Sequence, residues 1–303
     1  MNLYEALAQT CWFDNLAIIY EDSNNTFRNH PGVEIKPRDF GGLNGVNKLD
    51  HFDDPFDLTA YYQDIIDALL AVGYEPGKDL FGAPYDWRLP VDYLYSHDIF
   101  GTNQTFEQDV IDLVEKAFNA TGKRVSLITH SMGGPTVLYF LNRRPLEWKE
   151  TYIENFVPIA GPWAGTLKAL KTQVSGDNMG LQIPLVDLSL LSEKDIARNM
   201  RDSGGTSYLV PDADYYGDVV FVENKALGKN YTSSDFGQMW TDIGAPKTAK
   251  LWDKTKDLIS DMVHPQVNAF CLYGYGKPTE VHLTYDKPWP TDPNGSFCSL
   301  FQF

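Results

Sequence analysis

The hexapeptide at 129–134, Thr-His-Ser-Met-Gly-Gly, restricts the fold more than any other part of this sequence. The apolar run before it (125–128, VSLI) predicts a short buried strand, and the residues after it predict a helix. A serine at such a turn forms a nucleophile elbow, which needs small neighbours because strand and helix crowd together there. Gly133 meets this need, whereas Thr129 stands where glycine is usual. Ser131 is therefore predicted to be a catalytic nucleophile, and the alternative is a serine in an ordinary glycine-rich turn.

The rest of the chain alternates predicted strands and helices before its pattern weakens. Predicted strands occupy Leu16–Tyr20, Val33–Ile35, Leu80–Trp87, Val125–Ile128, Phe156–Ile159 and Ala269–Tyr273. Predicted helices occupy Asp57–Ala71, the stretch from the capping residue Thr105 to Gly122, and Gly133–Leu141, which Pro145 closes. Strands and helices that alternate at this spacing indicate βαβ units and a parallel sheet.

From about Thr166 to Val263 the sequence shows little periodicity. A stretch of this length inside an α/β protein is interpreted as a cap or lid inserted over the site. The predicted architecture is an α/β-hydrolase fold, a mostly parallel sheet flanked by helices. Its core is expected at 1–165, the cap at 166–263 and a return to the core at 264–303.

Composition excludes several classes of protein. The 303 residues carry a net charge of −16, and so acidic a surface repels phosphate backbones, which makes a nucleic-acid partner improbable. Hydrophobic residues form 43% of the chain, enough for a large core, but no apolar run approaches the roughly 20 residues of a spanning helix. No cysteine or histidine pair has metal-ligand spacing, so neither a metal nor another cofactor is expected.

Five Asn-X-Ser/Thr sequons favour a secreted protein or one of the lysosomal and endomembrane lumen. They lie at Asn24, Asn103, Asn119, Asn230 and Asn294. The first residues have neither the basic start nor the apolar segment of a signal peptide. We therefore expect the start of the natural protein to lie upstream of this chain.

A serine hydroxyl becomes a good nucleophile only beside a histidine base that a carboxylate orients. In the α/β-hydrolase fold the histidine follows the serine in the chain, and the downstream histidines here are His264 and His282. His130 is interpreted as a packed histidine under the elbow, because its side chain is expected to point away from the serine.

The oxyanion of acyl transfer needs two backbone N–H donors. One candidate is the amide of Met132, and the glycine-rich loop Asp39–Gly42 suits the other. Trp163 follows the next strand among small residues and is a candidate for lining an acyl pocket, although a plain turn is nearly as good an explanation. The charges in Tyr85–Arg88 (YDWR) are interpreted as a buried structural ion pair beside the site.

Several segments, in order over nearly the whole chain, resemble the lecithin:cholesterol acyltransferase and lysosomal phospholipase A2 family. They are 11–15 (CWFDN), 30–42 (HPGVEIKPRDFGG), 83–90 (APYDWRLP), 129–134 (THSMGG), 138–150 (LYFLNRRPLEWKE), 160–165 (AGPWAG), 175–178 (SGDN), 230–236 (NYTSSDF) and 271–280 (CLYGYGKPTE). The resemblance implies a phospholipid acyl donor at a membrane or lipoprotein surface, and a covalent acyl group on Ser131. The acyl group would pass to a sterol, another lipid alcohol or water. By position, the resemblance also makes Phe40 and Met132 the oxyanion donors, and it implies no metal.

The same resemblance leads us to expect a chain truncated at both ends. The family's catalytic Asp and His would follow the segment at 271–280, and neither is found in this chain. The family partners of Cys11 and Cys271 would also lie outside it. The alternative function is therefore a truncated or catalytically inactive lipid-binding relative. A sugar-binding or adhesion module has little support beyond surface aromatics.

Overall fold

The computed structural model describes residues 14–48, 60–177, 193–286 and 289, together with the backbone of 182–183 and 188–189. The predictions that concern Cys11, Asn294 and the first residues of the helix at Asp57 lie outside these described residues. The strands are β1 (Ile19–Glu21), β2 (Thr26–Arg28), β3 (Val125–His130), β4 (Ile153–Ile159), β5 (Gln182–Ile183), β6 (Leu188–Ser189), β7 (Val220–Asn224), β8 (Lys229–Thr232), β9 (Asn268–Ala269) and β10 (Leu283–Tyr285).

The helices vary from one turn to more than four. They are α1 (Gln63–Ala71), α2 (Val91–Ser96), α3 (Phe106–Thr121), α4 (Gly133–Asn142), α5 (Leu146–Tyr152), α6 (Leu167–Val174), α7 (Glu193–Met200), α8 (Gly204–Ser207), α9 (Ala213–Tyr216), α10 (Phe236–Asp242) and α11 (Pro246–Thr255). Among the described residues, no helix combines the length and the apolar character needed to cross a membrane.

A parallel sheet lies at the centre of the chain, in the strand order β3-β4-β9. β3 and β4 pair in parallel with Leu127 opposite Phe156, and Phe156 is in turn opposite Ala269 of β9. A further parallel bridge joins Ile159 to Leu272, as the predicted return to the sheet requires. The mixed α/β architecture with parallel strands is therefore confirmed.

Local signals explain why α3 forms where it was predicted. The Thr105 side chain accepts a hydrogen bond from the amide of Gln108, and Gly122 ends the helix at φ +67°, in the left-handed region. The reciprocal half of the predicted capping box is absent, because the Gln108 side chain bonds to Asp112 instead. Phe106 and Val114 turn inward and join the main core.

Two predicted strands are wrong. Val33–Ile35 and Leu80–Trp87 are extended but form no strand, apart from one bridge between Pro76 and Leu80. Prolines at and beside both stretches remove backbone donors, and no neighbouring segment supplies a ladder. At the N-terminal end, the strand predicted at Leu16–Tyr20 is displaced to β1, which pairs antiparallel with β2 across an asparagine-containing turn.

The described part of the stretch at 166–263 is regular rather than loose. Its described residues form six short helices, α6 to α11, and the strands β5 to β8, and β10 joins β7 and β8 in a second sheet of order β10-β7-β8. A second hydrophobic core forms there around Trp240, Phe236 and Val222. Trp289 packs into the same core, so the chain beyond β9 returns to this second unit. Periodicity is weak in sequence because the helices are short.

Candidate active site

Ser131 lies at the turn between β3 and α4. Its backbone has φ +51°, in the left-handed region that residues other than glycine seldom adopt. Its amide N donates to the carbonyl O of Ile159 at 2.8 Å, and its side chain is partly exposed. A strained and accessible serine between a strand and a helix has the local geometry of a nucleophile elbow.

The two glycines that begin α4 let this helix approach its neighbours. A Cβ on Gly133 would lie 3.4 Å from the Cβ of Thr129, which is ordinary contact. A Cβ on Gly134 would lie 3.1 Å from the ring of Trp163 and 3.2 Å from the Cα of Gly161, which is tighter. The elbow therefore accommodates a threonine at the usual glycine position, and its crowded side faces the loop after β4.

Met132 immediately precedes α4. Its carbonyl O accepts two hydrogen bonds from Thr136, one from the amide N at 3.1 Å and one from Oγ1 at 2.8 Å. The amide of Met132 stands at the N-terminus of the helix, where the first N–H groups have no intrahelical acceptor. The position suits an oxyanion donor, and that role remains a prediction.

The loop Asp39–Gly42, which carries the second predicted donor, is fixed from two sides. The amide of Gly41 donates to the carbonyl O of Gly82 at 2.8 Å, with φ +86° at Gly41. The ring of Phe40 packs on Phe100 with centroids 4.9 Å apart. The loop is thus anchored without the strand that was predicted before it. Convergence of the Phe40 amide on the nucleophile remains a prediction.

A pocket of about 230 Å³ opens beside α4. Pro135 and Leu138 of the helix line it together with Trp163, Tyr215, Ile259 and residues 262–265. The lining is largely apolar, as a site for a hydrocarbon chain must be. A role for Trp163 in binding an acyl chain remains a prediction.

The packed histidine and the two downstream histidines named from the sequence have different surroundings. Nδ1 of His130 lies 2.5 Å from the hydroxyl of Tyr61, and the two rings meet edge to face. His130 is therefore packed against an aromatic ring, as predicted. His264 lines the pocket and accepts from the amide two residues further on at 3.0 Å. His282 lies beside β7, with Nδ1 3.0 Å from a carbonyl O of that strand.

The predicted buried ion pair is present. The guanidinium of Arg88 makes two hydrogen bonds to the carboxylate of Asp86, at 2.8 and 2.6 Å, and Arg88 is 2% exposed. Its other donors reach the carbonyl O of Leu16 at 3.1 Å and Oδ1 of Asn29 at 2.9 Å. The pair thus joins the N-terminal part of the chain to the loop that carries Tyr85.

A cluster of hydroxyl groups beneath the elbow was missed by sequence reasoning. Oγ1 of Thr136 lies 3.2 Å from the hydroxyl of Tyr208, and the hydroxyl of Tyr85 also interacts with Thr136. Burial raises the pKa of Tyr85 and of Tyr208, so both phenols stay protonated near neutral pH. Tyr208 is 72 residues from Thr136 in sequence, and no local pattern connects them.

The sequon asparagines that the structure describes are all exposed. Asn24 lies in the turn between β1 and β2, Asn103 precedes α3, Asn119 lies within α3 and Asn230 is on β8. Their side chains are therefore accessible, and glycan attachment remains a prediction for each.

Comparison with known proteins identifies a family for this chain. The family model described as lecithin:cholesterol acyltransferase matches residues 1–263. Human phosphatidylcholine-sterol acyltransferase is 32% identical over 297 residues, which cover 97% of this chain and 62% of that protein. Bovine lysosomal phospholipase A and acyltransferase is 32% identical over 284 residues, covering 93% of this chain and 65% of that protein.

The chain thus spans somewhat less than two thirds of the length of these curated relatives. Among solved structures, a chain from the crystal structure of the Tle4-Tli4 complex aligns with 58% of this chain and 40% of its own length. Its TM-score is 0.37 at 14% identity, too little overlap to support a conclusion. The family model covers well over half of the sequence, and this chain belongs to the lecithin:cholesterol acyltransferase family.

Proposed function

We propose that this protein transfers an acyl group from a glycerophospholipid, through an ester on Ser131, to a sterol, another lipid alcohol or water. The observation that carries the proposal is the left-handed backbone of Ser131, at φ +51° between β3 and α4. Such strain in a residue other than glycine is typical of a functional site, and the family relationship supplies the chemistry. Transfer to water is the phospholipase A form of the same reaction.

The proposed architecture is an α/β-hydrolase core with a cap formed by 166–263. The separate hydrophobic core around Trp240 supports a distinct cap. β10 and Trp289 pack with this unit, so we assign 283–289 to the cap rather than to the returning core.

In the proposed mechanism, a general base takes the proton of the Ser131 hydroxyl as Oγ bonds to the ester carbonyl carbon. The carbonyl oxygen gains negative charge, which the amides of Met132 and Phe40 stabilise. The tetrahedral intermediate collapses, the bond to the lysophospholipid oxygen breaks, and that oxygen receives the proton. Water or a lipid alcohol then attacks the acyl-serine by the same steps in reverse.

The apolar pocket beside α4 supports a hydrocarbon substituent on the substrate. Pro135, Leu138 and Trp163 line it, and Trp163 also contacts the start of α4 through Gly134. We therefore propose that Trp163 contacts the acyl chain. The substrate is presented by a membrane or lipoprotein surface, in a secreted or luminal compartment that the exposed sequons favour.

The test is covalent labelling of the nucleophile. A fluorophosphonate probe should modify Ser131, and a phospholipid with a radiolabelled acyl chain should leave the label on the same residue, as peptide mass analysis would show. Ser131→Ala should abolish both labels. Ser126→Ala, which removes an exposed hydroxyl from the same strand, should change neither.

The same experiment distinguishes the proposed acyl transfer from the alternative function. A protein that binds phospholipid vesicles but takes no label at Ser131 from either reagent would be the catalytically inactive, lipid-binding relative, and the proposed transfer would be wrong.

A further inference from the structure

Thr136 connects the first turn of α4 to two buried phenols. Its Oγ1 donates to the carbonyl O of Met132 at 2.8 Å and lies 3.2 Å from the hydroxyl of Tyr208. The hydroxyl of Tyr85 interacts with Thr136 as well, and lies 3.9 Å from the point where a Cβ on Gly133 would stand. The three hydroxyl groups therefore meet directly below the elbow.

The direction of these hydrogen bonds follows from the number of donors. A threonine hydroxyl has one proton and two lone pairs. Its proton is used on the carbonyl O of Met132, so Tyr208 must donate to Oγ1. Because burial raises the pKa of Tyr208, its phenol keeps the proton that it donates. The Tyr208 phenol thus donates to a hydroxyl that in turn donates to the carbonyl O of Met132, at the start of α4.

The two phenols reach the elbow from segments that are also joined to each other. The amide of Gly205, in α8, donates to the carbonyl O of Arg88 at 3.0 Å, and Ser203 Oγ donates to the same oxygen at 3.3 Å. Thr166 N donates to the carbonyl O of Leu209 at 2.7 Å, which fixes the chain just after Tyr208. The backbone that carries Tyr208 is therefore fixed by contacts to Arg88 and Thr166, independently of the bond between its phenol and Thr136 of α4.

We propose that Tyr208 is a positioning residue for acyl transfer, acting through Thr136 on the peptide of Met132 and hence on the backbone of Ser131. The inference rests on the proposed function, which makes Ser131 the nucleophile and Met132 an oxyanion donor. A residue at φ +51° keeps that conformation only where its surroundings over-determine it. The hydroxyl chain is one such restraint, in addition to the helical bond from the amide of Thr136.

The consequence concerns catalysis more than binding. Without this series of hydroxyl groups, the carbonyl O of Met132 keeps only the hydrogen bond from the amide N of Thr136. The amide of Met132, which precedes that carbonyl, then turns more freely. Misplacement of about 1 Å at a catalytic group costs on the order of 100-fold in rate. Substrate affinity should change little, because none of these hydroxyl groups lines the apolar pocket beside α4.

The experiment measures kcat and KM for a phospholipid or a chromogenic ester in the protein and in isosteric variants. Tyr208→Phe should lower kcat roughly 10-fold with KM unchanged, and Thr136→Val roughly 100-fold. Thr136→Ser keeps the hydroxyl group, and its kcat should be nearly that of the unmodified protein. The double variant that combines Tyr208→Phe with Thr136→Val should be no slower than Thr136→Val alone, because both changes act through Oγ1 of Thr136.

Tyr95→Phe is the matched control. Tyr95 is 3% exposed in the same core, and its ring packs against Tyr139 and Phe140. Its variant should keep full kcat. The proposal is overturned if Tyr208→Phe matches the unmodified protein in kcat, or if Tyr95→Phe loses as much as Tyr208→Phe. If Ser131→Ala retains turnover, or if the unmodified protein takes no label at Ser131, the proposed function itself is wrong, and these outcomes do not depend on Tyr208.

Discussion

The amide N of Ser131 donates to the carbonyl O of Ile159 at 2.8 Å, although Ser131 has already left the extended conformation of β3. The ladder between β3 and β4 thus continues one residue beyond the strand, and its last bond restrains a residue at φ +51°. Sheet pairing and backbone strain meet at the same residue. The strain should therefore be measurable as a difference in the free energy of unfolding.

Replacing Ser131 by glycine or by alanine should separate strain from the loss of the hydroxyl. Glycine adopts positive φ without the cost of about 1 kcal/mol or more that a Cβ brings. Ser131→Gly should therefore unfold with a free energy about 0.5–1 kcal/mol above that of Ser131→Ala, as measured by urea denaturation. At Ser126, inside β3, the same pair should rank in the opposite order. Equal stability of the two Ser131 variants would contradict a strained elbow.

The two glycines of α4 should respond differently to alanine. Gly134→Ala places a Cβ 3.1 Å from the ring of Trp163 and should destabilise the protein by about 1–3 kcal/mol. Gly133→Ala meets only ordinary contact with Thr129, so the gain in helix propensity should leave it neutral or slightly stabilising. Thermal or urea unfolding of both variants measures the difference. A larger loss at Gly133 than at Gly134 would be inconsistent with the packing described.

Breaking the buried ion pair should be costly. Arg88→Met leaves the carboxylate of Asp86 without its partner in a largely buried position, and should lower the free energy of unfolding by about 3–5 kcal/mol. The exposed pair of Lys78 and Glu75 provides the comparison, and Lys78→Met should leave the free energy of unfolding nearly unchanged. Urea denaturation at one pH measures both. A similar, small effect in the two variants would show that the Arg88 network does not hold its three segments together.

His30 should contribute to the pH dependence of stability. Burial lowers its pKa below the ordinary value of 6.5, so the unfolded chain binds this proton more readily than the folded one. The stability involved is present above about pH 6.5 and is lost as pH falls through that value toward the folded pKa. His30→Asn should therefore flatten the rise in urea midpoint between about pH 5 and pH 7. If the slope is unchanged in His30→Asn, another group causes the rise in urea midpoint.

Glycans should be found at Asn24 or Asn230 when the protein is made in a eukaryotic secretory host. Both asparagines are exposed in the structure, and both lie in sequons. Mass measured before and after glycosidase treatment checks the expectation, and Asn24→Gln with Asn230→Gln should remove the corresponding shift. An unchanged mass in the unmodified protein would leave the proposed luminal location without support.

The βαβ unit around the elbow could be predicted because its signals are local. Thr105 and Gly122 delimit α3, Pro145 closes α4, and the apolar run at 125–128 has the pattern of a buried strand. The strands at 33–35 and 80–87 could not be rejected in the same way. A strand depends on a hydrogen-bonding neighbour as well as on its own residues, and neither stretch has one beyond a single bridge.

The second hydrophobic core shows the same distinction on a larger scale. It joins Leu167, Phe236 and Trp289, which are far apart in sequence, and the helices around it are too short to produce a clear period. Sequence reasoning therefore recognised a change in the chain near Thr166 but not the second sheet, nor the return of β10 to it.

For the candidate site, the sequence by itself determined Ser131, its glycines and its place between a strand and a helix, because neighbours along the chain set that geometry. Only the tertiary structure decided what lies beneath it. Thr136 meets Tyr208 through a hydrogen bond between separate segments, and such a bond requires the folded chain to bring the two hydroxyl groups together. No spacing or periodicity encodes a contact of this kind, since it depends on how the segment that carries Tyr208 packs against α4.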